Sequence, residues 1–237
     1  MPEKYLLNSS PEGHRERLRN RYVNAGILSL SEHEKLELIL TYAIPRKDVK
    51  PIAKTLLHIF DTVDKVFSAD INRLKLVDGI GENSAVLISL IGDIISDIQE
   101  RSIMSMELKS ARSVLHNFIC QKIGFSLREQ MLMFCLDGKS RVKLIKTFGG
   151  VTNRLNFEIN ELAEEAKRVN AGYVILAHNH PNGALNASMQ DIESTLSISS
   201  FLRKMHIELV DHYVVSGNNI LSICGTGEDV FSAMDRF

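Results

Sequence analysis

The stretch Gly172–His178 (GYVILAH) constrains this chain more than any other. It is short and almost wholly apolar, which reads as a buried central strand. Pro181 follows closely, and a proline cannot donate to a ladder, so the strand has to end there. The flanking sequence supplies partners for it. Glu129–Leu136 (EQMLMFCL) and Val142–Phe148 are apolar runs joined through Asp137-Gly138 and followed by Gly149-Gly150, the pattern of a strand pair. Ile207–Ser216 and Ile220–Cys224 read as two more strands around Gly217-Asn218-Asn219, a turn sequence that tolerates positive φ. Helical patterns at Ala111–Ile123, Phe157–Asn170 and Ser188–Met205 separate these strands. Strands interleaved with helices predict a compact α/β domain over 111–237.

Residues 1–101 read differently, as an all-helical region. Ser31 and Glu34 have capping-box spacing, and Leu36, Ile39, Leu40 and Ala43 follow on one face. Pro45 stops that helix. Asp48 is placed to cap the next, whose inner face is Ile52, Leu56, Leu57 and Phe60. Short helices near Thr62–Ser68 and from Asp70 precede a longer one over Glu82–Glu100. Residues 102–110 have weak periodicity and several serines, and read as a linker.

Bulk properties exclude several classes. No apolar run reaches the length of a membrane-spanning helix, so a membrane role is not expected. The N-terminus lacks an apolar signal core, which predicts no export. Cys120, Cys135 and Cys224 are far apart and form no CxxC pair, against a disulfide framework or a thiolate metal site. A reducing cytoplasmic location fits. Residues 1–110 hold 15 Lys+Arg against 16 Asp+Glu and the remainder 13 against 13, so neither part has a global attraction to phosphate. His14–Arg21 (HRERLRNR) is the one local basic patch.

The chemistry concentrates in AHNHPNGALNASMQDIE. His178 and His180 are two apart at a strand end, so their side chains point to the same side. Asn182 and Gly183 turn the chain, Ser188 opens the next helix, and Asp191 lies on its first turn, able to swing back toward the strand end. Ser188 and Asp191 could be a plain helix cap and the histidine pair incidental. Together, in this order and context, they point to one zinc ion held by His178, His180 and Asp191. Three protein ligands leave the fourth position for a water whose pKa the metal lowers. A two-metal nuclease would need a second carboxylate cluster, and the motif has none beside it.

His178-x-His180-Pro181 with Ser188-x-x-Asp191 resembles the JAMM (MPN+) zinc hydrolase signature. HNHPNG followed by LVDHYVVSGNNILSI, and upstream GHRERLRNRYVNAGILSLSEHEKLELILTYAIPRKDVKPIAKTLLHIF, are similar to the RadC family of bacterial JAMM proteins. The resemblance implies a cytidine-deaminase-like α/β/α JAMM fold behind a small helical bundle, and metallopeptidase-type cleavage of an amide bond in an unknown protein or peptide. It implies that Glu129 is the general base and acid and that Ser188 donates to the developing oxyanion. Glu158, Glu161 and Glu193 are weaker matches for the base. The stretch Ala184–Ala187 replaces a polar, proline-containing segment usual in the family, and Asn182 stands where Ser is commoner; both bear on substrate preference. Asp211 and His212 are candidates to hold a ligand imidazole from behind.

A second motif, Leu74–Ile88 with Gly79-Ile80-Gly81, resembles a helix-hairpin-helix. Such turns bring backbone N–H groups to a DNA phosphate without reading sequence. Asp78 and Glu82 in the turn repel phosphate, so a tight interhelical turn is the competing reading. The function expected is a zinc-dependent hydrolase with a link to DNA repair or recombination. The alternatives are a DNA-binding repair protein whose metal domain is accessory, and a non-catalytic scaffold.

Overall fold

The computed structural model describes residues 11–104, 106–108, 111–149 and 159–224. Expected features at Gly150, at the start of the 157–170 helix including Glu158, and beyond Cys224 lie outside the described residues. Contacts divide the chain into two compact units, residues 1–94 and 95–237, with the division inside one long helix.

The first unit is helical. Helices α1 (Pro11–Ala25), α2 (Glu32–Ala43), α3 (Lys50–Phe60), α4 (Val63–Phe67) and α5 (Ile71–Lys75) lead into α6 (Glu82–Met104). Leu36, Leu40, Ile52, Ala53, Leu56, Val66, Leu74 and Ile88 form its core. The α2 start is the capping box seen in the sequence, with Ser31 and Glu34 bonded reciprocally. Asp48 accepts from the amide of Lys50 at 3.0 Å, while Val49 is the capping residue. Gly79 joins α5 to α6 with φ +85°, and a Cβ there would fall 2.7 Å from Ile52 Cδ1. That glycine is therefore required by the turn and by the packing beneath it.

The second unit is an α/β/α sandwich. Its elements are α7 (Arg112–Ile123), β1 (Gln130–Leu136), β2 (Val142–Gly149), α8 (Ile159–Arg168), β3 (Tyr173–Asn179), α9 (Met189–Arg203), β4 (Glu208–Ser216) and β5 (Asn219–Ser222). The sheet order is β2-β1-β3-β4-β5. Strands β3 and β4 are parallel and the other neighbours antiparallel. The strand predicted over 172–178 is central, as its composition requires. Of residues 102–110, 102–104 end α6, Glu107 bridges Arg141, and Leu108 is fully buried.

Strand alternation sorts the side chains between two cores. Leu132, Phe134, Ile175, Ala177 and Tyr213 pack toward Leu115, Phe118 and Ile119 of α7. Met131, Met133, Val174 and Leu176 pack toward Leu162 and Ala166 of α8 and Ile198 and Leu202 of α9. By the same period, Glu129 and His178 fall on the α9 face. A bulge interrupts β4: Val174 pairs with Leu209 but Ile175 pairs with Asp211, leaving Val210 extra. The bulge reverses the facing of everything after it.

Arg21 pairs with Glu34, and this contact, with hydrogen bonds from Ser31, holds the Glu34 carboxyl down to about 2. A depressed carboxylate contributes stability above its ordinary pKa and loses it as pH falls toward the folded value. Glu34→Gln is expected to lower the melting temperature at pH 7 by a few degrees. The gap should close as pH falls from 4.5 to about 2, followed by thermal unfolding at each pH; a gap independent of pH would contradict this assignment.

Candidate metal centre

His178 is the last core-facing residue of β3 on the α9 side, and His180 follows two residues later, its amide still bonded to Val215 O at 2.9 Å. Asn182 and Gly183 then fold the chain back, with Gly183 at φ +85°. This return places the Ala184 carbonyl 3.1 Å from His180 Nδ1. Ser188 caps α9, and the reciprocal box sets Asp191 rigidly: its Oδ2 accepts from the Ser188 amide and hydroxyl, each at 2.7 Å.

Three side chains therefore meet at one point. His178 Nε2 and His180 Nε2 are 3.0 Å apart. Asp191 Oδ1 lies 3.3 Å from the first and Oδ2 3.4 Å from the second. Ligands at zinc distances on a tetrahedron would be about 3.4 Å apart. A carboxylate oxygen of Glu129 and ring nitrogens of His178 and His180 all lie within 4.8 Å of one another. Two carboxylates thus approach the imidazoles. Asp191 touches both at ligand spacing and is pinned by its cap; Glu129 forms no ion pair among the described residues.

The hydrogen-bond network assigns the histidine protons, because two of its ends can only accept. Thr195 Oγ1 is 2.6 Å from the Asp191 carbonyl, so its one proton goes there. It must then accept from His212 Nδ1, 2.7 Å away. His212 Nε2 is left to accept from His178 Nδ1 at 2.8 Å, so in the neutral, metal-binding form of His178 the lone pair is on Nε2. His180 Nδ1 donates to the Ala184 carbonyl, so in the neutral form of that ring the lone pair is on Nε2 too. Both lone pairs point at the same place beside a carboxylate. Without a cation there, that arrangement is repulsive; with one, every donor and acceptor is used. The residues present fit a divalent metal.

Electrostatics fit a positive charge at this point. Burial drives the pKa of His212 down to about 3, with the neighbouring His178 adding to the effect, so His212 stays neutral. Burial works against ionising Asp191, but positive charge on the His178 side of the contact and the bonds from Ser188 outweigh it and hold the carboxyl well below the ordinary range, so the carboxylate is the form that faces the imidazoles.

Of the two residues expected behind the ligands, His212 touches a ligand imidazole and Asp211 does not. Asp211 Oδ1 accepts from the His212 amide at 2.7 Å and the Ser222 hydroxyl at 2.8 Å. The β4 bulge decides between them, since it turns His212 to the α9 face. Thr195 was not singled out from sequence; a hydroxyl at i+4 from a first-turn aspartate was its only signal. Glu161 pairs with Lys146, away from this cluster. In the first unit Ile80 is buried in the core and Gly81 is open, while Glu82 pairs with Lys75 at 2.5 Å.

A cleft of about 480 Å³ opens beside the cluster, lined by Leu127, Glu129, His180, Pro181, Asn182 and Ser188. A larger one, about 570 Å³, lies around Tyr173, Arg203 and His206, at the opposite end of β3 and β4. Convergent donor atoms, rather than volume, make the smaller the candidate site.

The model of the RadC-like JAB domain family matches residues 108–228. A UPF0758 protein of Fusobacterium nucleatum subsp. nucleatum is 34% identical over 224 residues, covering 91% of this chain and 97% of that protein. A UPF0758 protein of Ruegeria pomeroyi is 31% identical over 215 residues, covering 90% and 96%. The chain belongs to the RadC family. Its second unit is accordingly a JAB domain, and the JAB fold accounts for the sheet and helix order above. Within this RadC-family chain, His178, His180, Ser188, Asp191 and His212 all fall inside the matched region, as does Glu129. Among the described residues, no helix is long and apolar enough to cross a membrane.

Thr195→Val removes the acceptor for His212 and leaves a buried N–H unpaired. Zinc affinity is expected to fall about 10–100-fold in chelator competition, with Thr195→Ser close to wild type. Equal affinities in all three proteins would show that the chain of bonds does not support the site.

Proposed function

We propose that this chain is a zinc-dependent hydrolase that cleaves an amide bond in a peptide or protein. The observation that carries the reading is the convergence of His178 Nε2, His180 Nε2 and the Asp191 carboxylate on one point. One zinc ion would be held by His178, His180 and Asp191, leaving a position for water. Bound there, zinc supplies a Lewis acid and brings the pKa of a coordinated water toward neutrality.

The chain's own residues would do the rest. Glu129 sits on the open side of the cluster and at the cleft wall, placed to accept a proton from the attacking water. The same carboxyl then delivers that proton to the leaving amine. Ser188 donates its hydroxyl to Asp191 in this structure. It also lines the cleft, so rotation about χ1 would redirect the hydroxyl toward the oxygen of a bound amide. In the rotamer described, its work is to orient Asp191.

Purified protein is expected to hold one zinc per chain by elemental analysis, and His178→Ala to hold none. Glu129→Gln should keep its zinc and lose about 10²–10⁴-fold in turnover, read on a library of internally quenched peptides and lysine isopeptides. Full zinc content in His178→Ala would remove the ligand assignment. Undiminished cleavage by Glu129→Gln would remove the proton-transfer role.

A further inference from the structure

The residue between the two imidazoles has a task of its own. Asn179 points to the opposite face of β3 from His178 and is fully buried. The ladder between β1 and β3 ends at Met131 and His178. Beyond that pair, no backbone bond of the ladder ties the 126–130 segment to β3, yet Glu129 lies in this segment. Asn179 takes over where the ladder stops. Its Oδ1 accepts from the Gln130 amide at 2.7 Å. Its Nδ2 donates to the carbonyls of Arg128 at 3.1 Å and Ser126 at 3.2 Å. The bonds to Arg128 and Gln130 grip the backbone immediately before and after Glu129.

The rest of the turn is closed from other directions. The Ser126 hydroxyl donates to Arg128 O at 2.8 Å. Just upstream, Gly217 donates to Gly124 O at 2.8 Å, and a Cβ on Gly124 would fall 2.1 Å from Gly217 O. The segment is thus anchored to the β4–β5 turn at one end and to the metal-bearing strand at the other, and Asn179 is the strand's contribution.

We propose that Asn179 is the positioning residue for Glu129, coupling the carboxylate to the strand that carries His178 and His180. The proposal rests on the reading of Glu129 as the proton acceptor. A carboxamide is required: it offers one acceptor and two donors in a single plane. Aspartate keeps the acceptor but sets a negative charge against two carbonyls. Alanine removes all three bonds. Displacement of a reacting group by about 1 Å can cost on the order of 10²-fold in rate, so a rigid link of this kind matters to chemistry rather than to folding alone.

The test uses the full chain loaded with Co(II), whose visible spectrum reports the surroundings of the metal and its open position. Wild type, Glu129→Gln, Asn179→Asp and Asn179→Ala are compared at one pH, together with amide hydrogen exchange. Both Asn179 variants are expected to bind one Co(II) per chain and to shift the spectrum in the direction of Glu129→Gln. Exchange of the Gln130 amide should rise about tenfold in Asn179→Ala, the equivalent of one lost hydrogen bond, and stay near wild type in Asn179→Asp, which keeps the acceptor, while that of His178 stays as in wild type in both. A wild-type spectrum in the Asn179 variants, with Glu129→Gln shifted, would overturn the positioning role and leave Glu129 intact. Unchanged Gln130 exchange in Asn179→Ala would overturn it as well. If Glu129→Gln itself gives the wild-type spectrum, the Glu129 reading falls and the proposal with it. If Asn179→Ala fails to fold, the near-isosteric Asn179→Asp, which loses the two donor bonds to Ser126 and Arg128, decides the outcome by the Co(II) spectrum.

Discussion

Two imidazole lone pairs and a carboxylate cannot share a few ångströms of space unless a positive charge sits between them. The rest of the second unit can be understood as the means of enforcing that encounter. Carbonyl oxygens can only accept, and the two that end this network, those of Asp191 and Ala184, fix the proton on every ring leading to the site. A histidine with both nitrogens committed in this way has little freedom to turn its ring or exchange tautomers. The protein gives up that freedom at three rings, and the return is a site prepared for a cation before one arrives.

Preparation of this kind depends on backbone geometry more than on the ligands themselves. Strand β3 supplies two imidazoles on one face because strand side chains alternate. Helix α9 returns its first turn to the strand end, and the capping box that begins the helix also aims the aspartate. The same two residues thus serve secondary structure and, in the proposed site, would serve metal binding, and neither role excludes the other. The extra residue Val210 in β4 adds a third device, turning His212 under His178 while Asp211 and Tyr213 join the α7 side. A regular strand would have presented Asp211 to the imidazole instead.

The sequence shows some of this and hides the rest for identifiable reasons. The central strand was legible because nothing polar interrupts it, and the meeting of His178, His180 and Asp191 because their spacing combines a strand period, a turn and a helix start. The RadC resemblance was legible in HNHPNG and in the 14–60 region, and the family comparisons agree with it. Composition could not choose between Asp211 and His212, since a bulge leaves no mark in a run of strand formers. Thr195 resembles any helical threonine until its hydroxyl is seen between a carbonyl and a ring. Asn179 was passed over as the spacer of a motif, and its work depends on where another strand happens to stop. Gly79 carries a different lesson. A glycine in a hairpin-like motif suggested phosphate contact, but its positive φ and the Ile52 side chain beneath it already require the residue.

The central claim is that His178, His180 and His212 keep their protons on Nδ1, so that the first two would offer Nε2 to a bound cation. Long-range ¹H–¹⁵N correlation spectra of histidine-labelled protein at neutral pH, recorded with zinc bound, report this ring by ring. The account predicts Nδ1–H tautomers for all three, with zinc-shifted Nε2 resonances for His178 and His180 alone. An Nε2–H tautomer at His178, or a metal shift on its Nδ1, would contradict it.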